Sequence, residues 1–156
     1  MTRAAHQRRR FSGRTQQGFT LIEVLIAILV LGFGLLGFAL LQTMNVRYVQ
    51  SANFRTQATN LSYELLDQIR ANRVAAPLYV GDYTATTTKC APPTGTAIAK
   101  ETYMTDWRCR LGKSLGAESK ASVTRNGNLY SVQVTWGDER WKADAVDTTF
   151  TASTRL

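Results

Sequence analysis

Histidine is almost missing from this 156-residue chain. Its one copy, His6, lies ahead of the first long apolar run, so nothing downstream can use imidazole as a metal ligand or a general base. Cysteine is scarce as well: Cys90 and Cys109 alone make a poor zinc set, and neither metal nor cofactor is expected. The serines, lysines and carboxylates form no recognisable nucleophile and base set, which argues against an enzyme. Acidic residues are absent before Gly18, whereas Arg3, Arg8, Arg9, Arg10 and Arg14 all fall there. Without those five arginines the formal charge drops from +8 to +3, so the rest of the chain is only mildly basic. A strongly basic chain suggests nucleic acid or an anionic surface as partner. A basic cluster directly ahead of an apolar run is instead an orientation signal that keeps the N-terminus cytoplasmic.

What is present begins with that run. Phe19 to Leu41 is an almost unbroken apolar stretch, long enough for a helix to cross a hydrocarbon core of about 30 Å. A secretory signal has a shorter apolar region, of about 7 to 15 residues, and a small-residue cut site after it. Gly32, Gly34 and Gly37 suit either ordinary membrane-helix composition or close subunit packing. Gln42 to Arg73 holds no proline or glycine and keeps a helical apolar stripe through Leu41, Met44, Tyr48, Phe54, Ala58, Leu61, Leu65 and Ile69. One helix is therefore expected from Phe19 to about Arg73, its second half amphipathic and packed on a globular domain. Pro77 and the threonine-rich Gly81 to Lys89 read as the end of the helix and an exposed connection.

The remainder predicts a small α+β domain. Trp107, Leu111 and Leu115 recur at four-residue spacing, which predicts a short helix over about Thr105 to Leu115 with Asp106 near its start. From Leu129 to Trp136 the period becomes two, with Tyr130, Val132, Val134 and Trp136 on one face. Asn126-Gly127 is a hairpin signal joining this strand to Ala121–Arg125. Val146, Thr148, Phe150 and Ala152 alternate again, giving a third strand. The expected organisation is a leader over 1–18, a transmembrane helix over 19–41, its amphipathic continuation over 42–76 and a globular α+β domain over 77–156. The orientation signal puts that domain outside the cytoplasm, where a disulfide persists. Cys90 and Cys109 are expected to pair, the alternative being two buried free thiols. Trp107, Trp136 and Trp141 read as core or interface residues.

Glu23 stands alone at the edge of the span. A carboxylate moved toward a bilayer centre costs about 2.5 to 3.5 kcal/mol, so an acid there is either functional or reaches the headgroups. Gly18-Phe19-Thr20-Leu21-Ile22-Glu23-Val24-Leu25 resembles the signal motif shared by type IV pilins and the pseudopilins of type II secretion. The resemblance implies cleavage after Gly18 by a prepilin peptidase and N-methylation of Phe19. It also implies that Glu23 pairs with the Phe19 amine of a neighbouring subunit during assembly. The stretch Gly32 to Gln42, the pattern Tyr130 to Trp136 and the ending Thr154-Arg155-Leu156 are similar to PilV-type minor pilins. The helix lacks the proline that major pilins carry, having Leu40 there, and Cys90 to Cys109 lies too far from the C-terminus for their terminal disulfide loop.

A minor pilin of this kind would sit in the inner membrane as a single-pass protein, with its C-terminal domain in the periplasm, and then enter the pilus. Its partners would be other minor pilins, the major pilin, the prepilin peptidase and the inner-membrane assembly platform. Two other readings stay open. One is a type II secretion pseudopilin of the I type. The other is a DNA-uptake subunit, with nucleic acid on Lys89, Lys100, Arg108, Arg110, Lys113, Lys120 and Arg125; scattered solubilising charge is the plainer account of those residues.

Overall fold

The computed structural model describes residues 18–88, 90–92, 99–138 and 144–156. The leader arginines, His6, Lys89 and Trp141 lie outside the described residues. The chain divides into two units, with the boundary between Thr43 and Met44. Helix α1, Leu21–Ala71, contributes to both.

In the first unit α1 starts at Thr20, whose carbonyl accepts the N–H of Glu23 at 3.1 Å while its hydroxyl also accepts from that N–H at 3.3 Å. A threonine with an acid three residues on is an N-terminal signature, and Glu23 lies in the first turn, where the helix dipole favours negative charge. Every large apolar side chain from Leu21 to Leu41 is exposed. Its best 18-residue window has mean hydropathy 2.9 and none of it is buried. A helix apolar all round is at rest only inside lipid or among other apolar helices. Thr43, at the end of the run, turns its hydroxyl back to the Ala39 carbonyl at 3.0 Å.

The second unit, Met44–Leu156, carries the rest of α1, a 3₁₀ turn (Ala76–Tyr79), β1 (Gly81–Thr84), α2 (Lys100–Leu115), β2 (Lys120–Asn126), β3 (Leu129–Trp136) and β4 (Thr148–Arg155). The strands form one antiparallel sheet in the order β1-β2-β3-β4. The fold is α+β, as expected. Alternation places Val123, Tyr130, Val132, Val134, Trp136 and Ala152 on the inner face, where they pack with Leu61, Leu65, Leu66 and Ile69 of α1 and Trp107, Leu111 and Leu115 of α2. Each of the valines, leucines and Ile69 contributes about 1.5 to 3 kcal/mol through burial. Polar ties lock the helices: Trp107 Nε1 donates to the Leu61 carbonyl at 3.1 Å, and Arg110 grips Glu64 with two nitrogens at 2.6 Å each and Asp106 at 2.8 Å. The Glu64 bond raises the affinity of Arg110 for its proton, and Tyr103, which donates to Glu64 at 3.2 Å, is held well above the usual tyrosine range by burial first and the Glu64 charge second.

Several expectations needed correction. Burial on α1 starts later than the stripe implied: Met44 and Tyr48 are exposed, Phe54 is half-buried, and Ser62 and Leu66 join the buried face. Gly81–Thr84 is a strand, not a loop; Gly-Asp-Tyr-Thr has weak intrinsic strand preference and gains it by pairing with β2. Helix α2 begins five residues before Thr105, so Asp106 is internal and serves Arg110 rather than the helix dipole. Gly112 lies inside it, and the backbone of Thr86 occupies the place that a side chain there would take. The hairpin turns through Gly127 and Asn128, one residue beyond the expected pair, with Asn126 opposite Leu129 and Gly127 at φ 61°. Val146 is exposed and precedes β4 rather than starting it.

Candidate assembly site at the start of the helix

Gly18 and Phe19 immediately precede α1 and are exposed. A side chain added at Gly18 would meet nothing within 4 Å, so no packing within the described residues calls for glycine there. Phe19, Glu23, Ala27 and Leu31 recur every four residues and line one shallow groove with Val24 and Ile28. Phe19 is 84% exposed and the Glu23 carboxylate has no ion-pair partner among the described residues. The site is thus one acid set in a continuous apolar helix face. A side chain added at Gly32, Gly34 or Gly37 would likewise meet nothing within 4 Å among the described residues.

Cys90 and Cys109 are joined in a disulfide, with Cα atoms 5.4 Å apart. The bridge ties the connection after β1 to α2. Around it Thr86 donates its N–H to the Arg108 carbonyl at 3.2 Å, and Arg108 Nε donates to the Thr84 carbonyl at 2.7 Å. Three of the basic residues are engaged within the domain. Arg110 is committed to Glu64 and Asp106, Arg108 to Thr84, and Arg125 to the Gly127 carbonyl at 2.7 Å while stacking over Tyr130. Trp107 and Trp136 are buried in the core.

The sequence reading missed the contacts that hold α1 to the domain. Ser51 donates to the Asp138 carboxylate at 2.6 Å across 87 residues, and Glu64 meets Arg110 across 46. No local pattern marks pairs so distant; within α2 the four-residue spacing of Asp106 and Arg110 was the one visible cue. Among the described residues no cluster of three or more His, Cys, Asp or Glu could hold a metal ion.

Residues 13–39 match the family described as Prokaryotic N-terminal methylation motif. No curated protein and no solved structure matches the chain. The matched segment covers Gly18, Phe19 and Glu23 and ends inside the apolar part of α1. It is the signature of type IV pilins and pseudopilins, and together with the long apolar helix and the α+β domain it supports a membrane-anchored, type IV pilin-like protein.

Proposed function

We propose that the protein is a minor pilin, a low-copy subunit that helps initiate assembly of a type IV pilus. It is made with a leader over 1–18, cut after Gly18 by a prepilin peptidase and methylated on Phe19. Residues 19–41 hold it in the inner membrane, with the amphipathic 42–76 and the domain 77–156 in the periplasm. The single observation that carries the reading is the lone Glu23 on an apolar helix face, with no ion-pair partner among the described residues. Cleavage would create an ammonium at Phe19, and the acid of one subunit would pair with the amine of the next. Removing one member of such a buried pair costs about 3 to 5 kcal/mol, because the other is left uncompensated. Glu23 is then an assembly residue, and the protein has no enzymatic role, cofactor or metal. PilV-type resemblance and the uninterrupted helix through Leu40 support the minor rather than the major class.

The pseudopilin reading shares the motif and the unbroken helix. Deleting the gene and scoring surface pili and exoprotein secretion separates the two. The expected result is loss of pili with normal secretion; intact pili with lost secretion would overturn it in favour of the pseudopilin. The DNA-uptake reading loses support from Arg108, Arg110 and Arg125, each already engaged within the domain.

A further inference from the structure

Strand alternation turns Asp82 and Thr84 of β1, Lys120 and Ser122 of β2, and Gln133 and Thr135 of β3 away from the core. In register they form two rows, Asp82 beside Ser122 beside Gln133 and Thr84 beside Lys120 beside Thr135. Both rows line one cavity of about 480 Å³, within the range of about 300 to 1,000 Å³ that small-ligand sites occupy. Arg108 of α2 stands at its β1 side, and Asp147, just before β4, at the other.

The charges of this lining cancel, Asp82 and Asp147 against Lys120 and Arg108. They do not cancel by pairing. The side chains of Asp82, Lys120 and Asp147 have no ion-pair or hydrogen-bond partner among the described residues, and neither do those of Ser122 and Gln133. Asp82 and Lys120 are diagonal neighbours on adjacent strands, about 7 to 8 Å apart, and stay separate charges. Arg108 gives Nε and Nη2 to Thr84, which leaves Nη1. A simple anion or a simple cation gains little here, because it meets its like as well as its opposite. A neutral polyol leaves every charge unpaired. A ligand that carries both signs, correctly spaced, satisfies them through charge-assisted hydrogen bonds.

We propose that this cavity binds a short extended peptide with a free amine and a free carboxylate, its ammonium on Asp147 and its carboxylate on Lys120 and Arg108. Lys120 and Asp147 are two strands apart, on the order of 10 Å at a strand spacing of about 4.8 Å. Three residues, at about 3.3 to 3.6 Å each, separate the two ends of an extended peptide by the same length. Between them the Ser122 hydroxyl and the Gln133 amide each offer a donor and an acceptor to the peptide's own N–H and C=O groups. Asp82, next to the carboxylate end, disfavours anions that bring no ammonium. Every residue used lies in the second unit, so the inference stands apart from the assembly reading.

The test is isothermal titration calorimetry of the full chain in detergent with trialanine, its N-acetylated form, its C-terminal amide and the neutral sugar maltotriose. Trialanine should bind saturably, and each blocked form at least about tenfold more weakly. Asp147→Asn should abolish the preference over the acetylated peptide and keep the preference over the amide; Lys120→Gln should reduce the second and keep the first. Loss of folding cannot produce that crossed pattern. No saturable heat from trialanine up to about 10 mM, or equal binding of the free and blocked peptides, would overturn the proposal. So would equal binding of maltotriose, or variants that keep both preferences unchanged. If either variant does not accumulate, the wild-type comparison of free and blocked peptides decides.

Discussion

The two units of this chain solve opposite problems with the same helix. Up to Leu41 the large apolar side chains of α1 are 46% to 85% exposed, and nothing among the described residues covers them. From Ala58 to Ile69 the same helix buries five apolar residues against α2 and the sheet, to 5% exposure or less. The first unit therefore depends on a bilayer or on other helices, and the second on its own core. Variants in one should leave the other intact, and that separation can be broken or sharpened by experiment.

The largest expected effect is Glu23→Ala. The chain should insert, be processed and fold its domain normally, yet enter filaments on the order of a hundredfold less or worse, from about 3 to 5 kcal/mol of lost pairing. Quantitative immunoblots of sheared filaments against membranes check this; equal incorporation would remove the role given to Glu23. Trp107→Ala should do the reverse. Loss of a fully buried indole and its bond to the Leu61 carbonyl destabilises the domain by about 3 to 5 kcal/mol, seen as protease sensitivity of the second unit, with membrane insertion unchanged.

Replacing both Cys90 and Cys109 by Ser releases a bridge with a sequence separation of 19, worth about 3 kcal/mol by loop entropy. Thermal unfolding of the detergent-solubilised chain measures the loss, and reducing agent should reproduce it in wild type and not in the variant. The smallest effect is Gly112→Ala. A methyl group there meets the Thr86 backbone, so the connection must lift off α2 at about 1 to 3 kcal/mol despite the better helix propensity of alanine. A stabilised variant would mean that this close approach is not a constraint.

The sequence was most informative where structure follows from composition within one segment. The span and strand β3 with Tyr130 to Trp136 inward could be read because period and polarity are local signals, whereas Gly18, Phe19 and Glu23 were singled out only by their resemblance to a motif. Strand β1 could not, since four residues beginning with Gly81 and Asp82 become a strand only through their pairing with Ser122 and Val123. The start of α2 was placed late because Lys100 and Glu101 carry no apolar periodicity and Ala99 makes no side-chain cap. At the hairpin, Asn126-Gly127 and Gly127-Asn128 both offer residues that tolerate positive φ, and the register of β2 against β3 decides between them. The clamp of Glu64 and Arg110 and the outer edge of β4 depend on chain segments that meet only in the fold.

The central claim, that this is a processed pilin-like subunit, is tested most directly by intact mass and N-terminal sequencing of the protein from host membranes, with and without the prepilin peptidase. A chain beginning at methylated Phe19 in peptidase-positive cells and retaining its leader in peptidase-negative cells is the predicted result. A chain that keeps Met1 to Gly18 in both would contradict the account and leave an ordinary single-span membrane protein.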